Sequence, residues 1–316
     1  MDQVLKERWL KMGSRFFGYQ KKQFHGELKQ FFEENGYKEQ ELSTRRFYLL
    51  PVRDYIYGDL KRAKVVFTIP YDTPQKILWH KHKYYVNNGT KNQKRGLVQI
   101  FVPIIIIYAM FVALTLLSPR IEGIGSFVVA LLGIFCMILM IVALTKGFGN
   151  KYNATSFTSS LLLAAELAKR LDNESRRYVA FVFTDSNRGI CYGDRLLHNE
   201  LMRLNRTPQI VCLHSLGFGD QIEVGYSSGN RKLASEMVRS YTGNLSCKAV
   251  EMKEENRENT SMVYYRKSIW LASGVMDEKG SLVNLHTGSN KDKSFDEGML
   301  DDVLKILVEM VGNIRR

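Results

Sequence analysis

Cysteine is scarce in this chain, and the cysteines present do not form a pattern. There are four, at positions 136, 191, 212 and 247, without the spacing of a disulfide framework. Internal repeats and low-complexity linkers are also absent from the 316 residues. The composition therefore disfavours a disulfide-stapled extracellular domain and indicates a reducing compartment.

Two long apolar runs, at residues 97–117 and 125–145, contrast with the ordinary composition of the remaining sequence. Each has about the 20 residues that a helix needs to cross a bilayer. Pro119 and Gly123 lie between them and suit a tight turn, so the runs predict an antiparallel transmembrane hairpin. The alternative is a pair of buried core helices, although long soluble helices usually carry a polar face. A signal peptide is excluded by the position of the first run.

Acidic residues are missing from the segment before the first run. Between positions 76 and 95 there is no Asp or Glu, but there are six basic residues: Lys76, Lys81, Lys83, Lys91, Lys94 and Arg95. Lys146 and Lys151 follow the second run, whereas the loop between the runs balances Arg120 with Glu122. Because cytoplasmic flanks of membrane spans are rich in Lys and Arg, the sequence predicts an integral membrane protein with both soluble segments in the cytoplasm.

The formal net charge of +13 has two interpretations, binding to nucleic acid or attraction to anionic lipid headgroups. The basic segment adjoins the predicted membrane entry and contains Trp79, Tyr84 and Tyr85, and such aromatic residues are typical of the membrane interface. No nucleic-acid-binding motif is present. We therefore expect this surface to contact the membrane and expect no nucleic-acid partner.

Outside the apolar runs, strand-like segments alternate with helical segments. Strands are predicted at 46–52, 55–60, 64–69, 178–183, 210–213, 221–226, 268–272 and 282–285, and helices at 3–36, 156–171, 195–204, 231–241 and 296–314. This alternation predicts an α/β three-layer sandwich with a mostly parallel, mixed sheet. Residues 1–95 and 147–316 are predicted to form one domain, into which the hairpin at 96–146 is inserted.

Several segments carry a further pattern in their order and spacing. RFFG at 15–18 precedes VVFTIPYD at 65–72, YNATS at 152–156, FVFTDSNRG at 181–189, VCLHSLG at 211–217 and LHT at 285–287. In this order they resemble the dinuclear zinc aminopeptidase family, which includes aminopeptidase S, glutaminyl cyclase and the transferrin-receptor-like proteins. The resemblance covers most of the sequence outside the hairpin and implies the zinc-peptidase fold.

The resemblance also implies where the first metal ligands would lie. The first ligand histidine falls on Pro70, which cannot coordinate a metal, while Asp72 is retained beside it. In the family, the equivalent of Asp72 orients that histidine. The aspartate that bridges both metals falls on Tyr152.

The remaining positions implied by the resemblance are also mostly changed. The general-base glutamate falls on Ser186 and the adjacent ligand glutamate on Asn187; a small shift would place Asp185 near the base position. An aspartate ligand falls on His214, and the last histidine is retained at His286. Because two neighbouring zinc ions need several carboxylates, the dinuclear site is predicted to be lost.

A reduced site stays open as an alternative. Asp72, His214 and His286 offer three ligands for a single zinc ion. Otherwise the two histidines only bind backbone or water at strand ends, and no cofactor is expected.

The predicted function is that of a membrane-anchored, catalytically inactive zinc-aminopeptidase-like protein that binds or scaffolds a protein partner in the membrane. The degenerate superfamily members nicastrin and nicalin, which work inside membrane complexes, are similar in this respect, although this is analogy at the level of the fold. The alternative is an active metallo-aminopeptidase-like hydrolase with a single zinc. A third interpretation is a lipid or nucleic-acid binder driven by the basic segment.

Overall fold

Residues 2–46, 50–74, 76, 83–117, 123–145, 149–187 and 191–315 are described by the structure, a computed structural model. Its helices are α1 (Gln3–Lys11), α2 (Gly18–Glu34), α3 (Gly89–Leu117), α4 (Ile124–Thr145), α5 (Ser159–Arg170), α6 (Tyr192–Arg203), α7 (Arg231–Ser240), α8 (Glu254–Arg257) and α9 (Glu297–Arg315). A π-helical turn, Ala154–Thr158, leads into α5.

The strands from both sides of the α3–α4 hairpin pair in one mixed sheet. They are β1 (Glu39–Arg46), β2 (Leu50–Tyr57), β3 (Val65–Pro70), β4 (Tyr84–Tyr85), β5 (Val179–Thr184), β6 (Gln209–Leu213), β7 (Gln221–Tyr226), β8 (Ser246–Glu251), β9 (Ser268–Met276) and β10 (Leu282–Asn284). The centre is parallel in the order β5–β3–β6–β9, and β2 and β1 continue it antiparallel beyond β5. Beyond β6, β9 pairs antiparallel with both β7 and β10. The predicted α/β class with a mixed sheet is confirmed.

The central strand β3 contributes to a core on each face of the sheet. Phe67 and Ile69 belong to the core shared with α1, α2, α5, α7 and α9, whereas Val66 belongs to the core shared with α6 and the segment 252–265. This follows from the alternation of side chains along a strand. Phe67 also stacks on Phe181 of β5, with ring centres 5.4 Å apart. Helical layers therefore cover both faces of the sheet.

Some predicted boundaries are wrong. The helix predicted at 3–36 is two helices, because the segment between α1 and α2 turns inward to bury Arg15. The strand predicted at 46–52 instead spans the end of β1 and the start of β2. The strands β4 and β8 and the short helix α8 were not predicted from the sequence.

Over their apolar stretches, the helices α3 and α4 pack against each other and are otherwise largely exposed. Phe111 lies over Gly133, and the side chains of Ile106 and Ile134 are 54% and 55% exposed. Almost none of either apolar stretch is buried within the protein, so the alternative of buried core helices is wrong. Both helices are long and apolar enough to cross a membrane. Of the loop and flanking residues considered in the sequence, Pro119, Arg120, Glu122 and Lys146 lie outside the described residues.

Candidate functional site

The carboxyl edge of the parallel strands contains most of the predicted site residues. Pro70 at the end of β3 lies opposite Thr184 at the end of β5, and β6 ends on the other side of β3. Asp72, Asp185 and His214 follow these three strands and therefore emerge at the same edge. In open α/β sheets, ligands bind at this edge.

Asp72 lies beside a buried cation, Arg15. The Arg15 side chain is completely buried. It donates hydrogen bonds to the carbonyl oxygens of Met12 (3.1 Å) and Tyr71 and to Thr158 Oγ1 (3.2 Å). Burial lowers the pKa of Arg15 to about 9, and the negative charge of Asp72 acts in the opposite direction. A guanidinium group thus supplies positive charge next to the retained aspartate.

The carboxylate of Asp185 is engaged by an ion pair. Lys21 Nζ, from α2, lies against Asp185 Oδ1, and the aspartate side chain is 3% exposed. The same oxygen accepts a hydrogen bond from the backbone N–H of Ser186 at 2.6 Å. Both contacts engage Oδ1 of the carboxylate, so the aspartate near the position implied for the general base is held in an ion pair.

Ser186 and Asn187 stand where the resemblance implies two glutamates. Ser186 has a φ of 55°, in the left-handed region, where the chain turns away from β5. Asn187 Nδ2 donates to the carbonyl oxygen of Thr184 at 2.9 Å and to its Oγ1 at 2.7 Å. Because neither side chain is acidic, this turn supplies neither a basic carboxylate nor negative charge for a second metal ion.

Tyr152, where the resemblance implies the bridging aspartate, lies between two lysines. Lys293 Nζ is 4.8 Å from the centre of the Tyr152 ring, and Lys151 Nζ is 5.7 Å from it. Both are cation–π contacts. This position therefore carries positive charge where a dinuclear site needs a shared carboxylate, and that charge repels a divalent cation.

His214 is enclosed by aromatic rings. Its ring stacks on Trp270 with centres 4.7 Å apart, and Phe157 meets it edge-on at 4.9 Å. Its Nδ1 is 3.0 Å from Ser215 Oγ. Burial lowers the pKa of His214 to about 3, so the imidazole is neutral near pH 7. These contacts are typical of a histidine that packs in the core.

His286 packs in a different environment from His214. Its half-buried ring lies against Phe218, with centres 4.3 Å apart, and burial lowers its pKa. The nearby Asp292 is fully buried and accepts hydrogen bonds from the backbone N–H of Thr155 at 2.5 Å and from Thr155 Oγ1 at 2.9 Å. Asp292 therefore fixes the turn that leads into α5.

These residues do not fit the zinc group that the resemblance implies. Within the described ranges, no three His, Cys, Asp or Glu side chains are grouped as metal ligands. The predicted set of Asp72, His214 and His286 is thus not gathered into such a group. Pro70 has no donor atom in its side chain, and Tyr152 is flanked by lysines.

A second group of buried polar side chains surrounds the start of α6. Asp194 accepts hydrogen bonds from Ser261 Oγ at 2.8 Å and from the Tyr265 hydroxyl at 3.2 Å. Burial raises the pKa of Asp194 to about 7. Asp54 Oδ1 accepts a hydrogen bond from the backbone N–H of Asp185 at 2.8 Å, and burial raises the pKa of Asp54 as well. The protein thus accommodates buried carboxyl groups close to the carboxyl edge.

Four of the predicted membrane-surface residues, Lys83, Lys91, Lys94 and Arg95, lie around the start of α3, whereas Lys76 comes earlier in the chain and Lys81 is outside the described residues. Lys91 Nζ and the Arg95 guanidinium are each 4.7 Å from the centre of the Tyr85 ring. Arg95 Nη1 also donates to the carbonyl oxygen of Lys83 at 2.7 Å. The full described set, Lys76, Lys83, Lys91, Lys94 and Arg95, is at least partly exposed to solvent.

Sequence reasoning missed Arg15, Lys21 and Lys293 as residues of this site. In the sequence Arg15 stands out only as the first residue of the RFFG segment, and nothing in that segment indicates that its side chain is buried. Lys21 and Lys293 lie in polar stretches beside other charged residues, and the sequence gives no sign of their contacts. Their contacts depend on the tertiary structure.

The fold is shared with solved structures of two kinds of enzyme. Glutaminyl cyclase from Porphyromonas gingivalis has a TM-score of 0.60 and 11% identity, covering 98% of this chain and 96% of that chain. A leucine aminopeptidase precursor from Bacteroides thetaiotaomicron has a TM-score of 0.59 and 10% identity, covering 98% and 95%. Glutaminyl cyclase from Macrostomum lignano has a TM-score of 0.60 and 11% identity, covering 100% and 89%.

The chain therefore has the peptidase-like fold of glutaminyl cyclases and aminopeptidases. This confirms the resemblance predicted from the sequence at the level of the fold. No family model matches the sequence, and no curated protein matches it. At such low identity the likeness concerns architecture alone, and activity depends on the residues of the site.

Proposed function

We propose that this protein is a membrane-anchored protein of the peptidase-like fold that lacks metal-dependent hydrolase activity and serves as a binding or scaffold component of a membrane complex. The ion pair of Lys21 with Asp185 carries the proposal. It engages a carboxylate close to the position implied for the general base. The fixed ammonium group there also opposes the binding of a second cation.

Three more cations support the loss of a metal site. Arg15 lies beside Asp72, and Lys151 and Lys293 flank Tyr152. A dinuclear centre requires an excess of carboxylates to offset the repulsion between its ions. At this edge of the sheet, positive side chains contribute the charge that bound metal contributes in a hydrolase.

The exposed apolar surface of α3 and α4 supports membrane anchoring. Their outward side chains include Ile106 and Ile134, each more than half exposed, and both helices are long enough to span. A soluble monomer does not expose an apolar surface of this extent. The basic residues around Tyr85 at the start of α3 are suited to anionic headgroups and favour the cytoplasmic side.

The expected partner is another membrane protein. A fold retained without its metal chemistry still offers the carboxyl edge as a binding surface, and the hairpin confines that surface to the membrane. Repeated affinity isolation from native membranes that returns no partner would count against this part of the proposal.

Metal content and turnover, measured together, test the proposed function. The full chain is purified in detergent, exposed briefly to zinc and desalted, and its zinc is counted by mass spectrometry. We expect well below one zinc per chain and no cleavage of aminoacyl substrates or cyclisation of N-terminal glutamine. The proposal would be overturned, in favour of the single-zinc hydrolase, if one zinc is bound tightly and is lost in His286→Ala. The control variant His198→Ala, on the surface of α6, would then retain the zinc. Two bound zinc ions would show that the residue assignments themselves are wrong.

A further inference from the structure

Three aromatic residues cluster at the start of α2: Phe16 and Phe17 just before the helix and Tyr19 in its first turn. Phe17 and Tyr19 are 47% and 70% exposed, and their rings stack with centres 6.1 Å apart. Phe16 meets Phe17 edge-on at 4.9 Å. We refer to Phe16, Phe17 and Tyr19 as the aromatic patch. Large aromatic side chains placed together in solvent mark a contact surface.

The aromatic patch adjoins the point where the chain returns from the hairpin. Phe16 packs so closely on Gly149 that a Cβ at Gly149 would overlap its ring. Gly149 is four residues beyond Thr145, the last residue of α4, so it lies at most about 14 Å from the end of that helix. The patch is thus held near the membrane end of α4.

The other connection to the hairpin is equally short and leaves the same edge of the sheet. α3 begins at Gly89, which is packed against the carbonyl oxygen of Glu258. The apolar stretch begins at residue 97, about 12 Å further along a continuous helix. Asn150, on the returning chain, donates its backbone N–H to the carbonyl oxygen of Pro74, just beyond β3. Two short tethers at one edge leave the domain little freedom to turn that edge away from the bilayer.

The charge near the aromatic patch is positive. Lys151 and Lys293 are exposed, and both lie over the ring of Tyr152, close to the returning chain. Aromatic side chains beside lysines are characteristic of protein surfaces that rest in the headgroup layer of anionic membranes.

We infer that the aromatic patch, together with Lys151 and Lys293, forms a second membrane-contact surface, distinct from the basic residues around the start of α3. Its occupant is the anionic phospholipid headgroup layer. Phe17 and Tyr19 enter the interface, and the two lysines contact lipid phosphates and carboxylates. The carboxyl edge of the sheet therefore faces the bilayer. This inference rests on the proposed membrane anchoring.

The test places probes in the full chain reconstituted in nanodiscs of phosphatidylcholine and phosphatidylserine. In a Cys136→Ala, Cys247→Ser background, Phe17→Cys and Tyr19→Cys carry a fluorophore, and lipids with a headgroup nitroxide quench it on contact. Met202→Cys is the matched control, because Met202 is an exposed apolar residue, 63% exposed, at the far end of α6. Ile134→Cys, probed with an acyl-chain nitroxide, reports insertion of the hairpin itself.

We expect quenching at positions 17, 19 and 134 and none at position 202. If position 134 is quenched but positions 17 and 19 are no more quenched than position 202, the inference is overturned and the membrane anchoring stays intact. No quenching at any position would overturn the anchoring and the inference with it.

The charge requirement has its own measurement. Each lysine is expected to favour the docked state about fivefold on anionic lipid, so Lys151→Gln with Lys293→Gln should reduce quenching at position 19 sharply. Lys232→Gln with Lys267→Gln removes the same charge from exposed positions elsewhere and should leave the quenching unchanged. Equal effects of the two pairs would overturn the assignment of Lys151 and Lys293.

Discussion

Lys21 Nζ and Asp185 Oδ1 form an ion pair that joins α2 to the residue after β5. The two side chains are 20% and 3% exposed, so the carboxylate depends on the lysine for most of its compensation. Removal of one partner from such a pair leaves a buried charge unpaired. We therefore expect Lys21→Met to lower the free energy of unfolding by about 3 kcal/mol.

Denaturant unfolding in detergent measures this loss, and Lys22→Met, one residue along and exposed, is the control. The double variant Lys21→Met, Asp185→Asn should recover part of the lost stability, because it no longer buries an unpaired carboxylate. If Lys21→Met lowers the free energy of unfolding no more than Lys22→Met does, the ion pair does not stabilise this edge of the sheet.

The buried carboxyl of Asp194 should make stability depend on pH. Its pKa is raised by burial from 3.8 to about 7, so the folded state holds the proton more tightly than the unfolded state does. The stabilisation of the folded state by this proton is complete below about pH 4 and is lost as the pH rises through 7. The free energy of unfolding decreases by at most about 4 kcal/mol in total. Asp194→Asn keeps an acceptor for Ser261 and Tyr265 but removes the ionisation.

Melting temperatures between pH 5 and pH 8 check this prediction. We expect the wild-type protein to lose stability across this range and Asp194→Asn to lose clearly less. Glu278→Gln removes an exposed acid and should follow the wild type. A pH profile of Asp194→Asn parallel to that of the wild type would contradict the prediction.

Two glycines of α3 should respond differently to alanine. A Cβ at Gly89 would overlap the carbonyl oxygen of Glu258, whereas a Cβ at Gly96 meets nothing within 4 Å. Gly89→Ala is therefore expected to loosen the attachment of α3 to α8 and to speed limited proteolysis of the segment 253–260. Gly96→Ala should be neutral or stabilising by up to about 1 kcal/mol, because alanine favours helix. Similar cleavage rates for the two variants would refute the proposed close packing.

Asn87 fixes the base of α3 to the sheet through Glu223. Its Nδ2 lies 3.1 Å and 3.2 Å from the two carboxylate oxygens of this buried residue of β7. Burial raises the pKa of Glu223, and the amide donor partly offsets this effect. Asn87→Ala should cost about 2 kcal/mol, more at high pH, where Glu223 is charged. Gln93→Ala, an exposed position of α3, is the control for thermal unfolding at two pH values.

The strand β3 was predictable from the sequence, whereas β8 was not. A continuous apolar run ending at Pro70 is typical of a buried parallel strand, and β3 lies at the centre of the sheet. β8 has mostly polar, exposed residues and pairs with β7 alone among the described strands, so its sequence carries no apolar signal. Similarly, the apolar periodicity continues from α1 into α2, so the sequence does not indicate the turn between them that buries Arg15.

The candidate site was predictable only in part. The ends of β3, β5 and β6 follow from the strand pattern, and their meeting at one edge follows from the parallel sheet. The ion pair of Lys21 with Asp185 joins residues far apart in sequence. Nothing in the sequence around a helical lysine indicates which carboxylate it pairs with. The aromatic contacts of His214 were not predictable for the same reason, because Trp270 and Phe157 come from separate elements.

The insertion of the hairpin between β3 and α5 also sets the order of events during synthesis. β3 is the central strand, and both of its neighbours, β5 and β6, follow the hairpin in the chain. When α3 and α4 leave the ribosome, β3 has no partner and its apolar residues have no sheet to join. Translation therefore completes the hairpin before the central strands of the sheet can pair, and the parallel core of the domain assembles next to whichever surface already holds the hairpin.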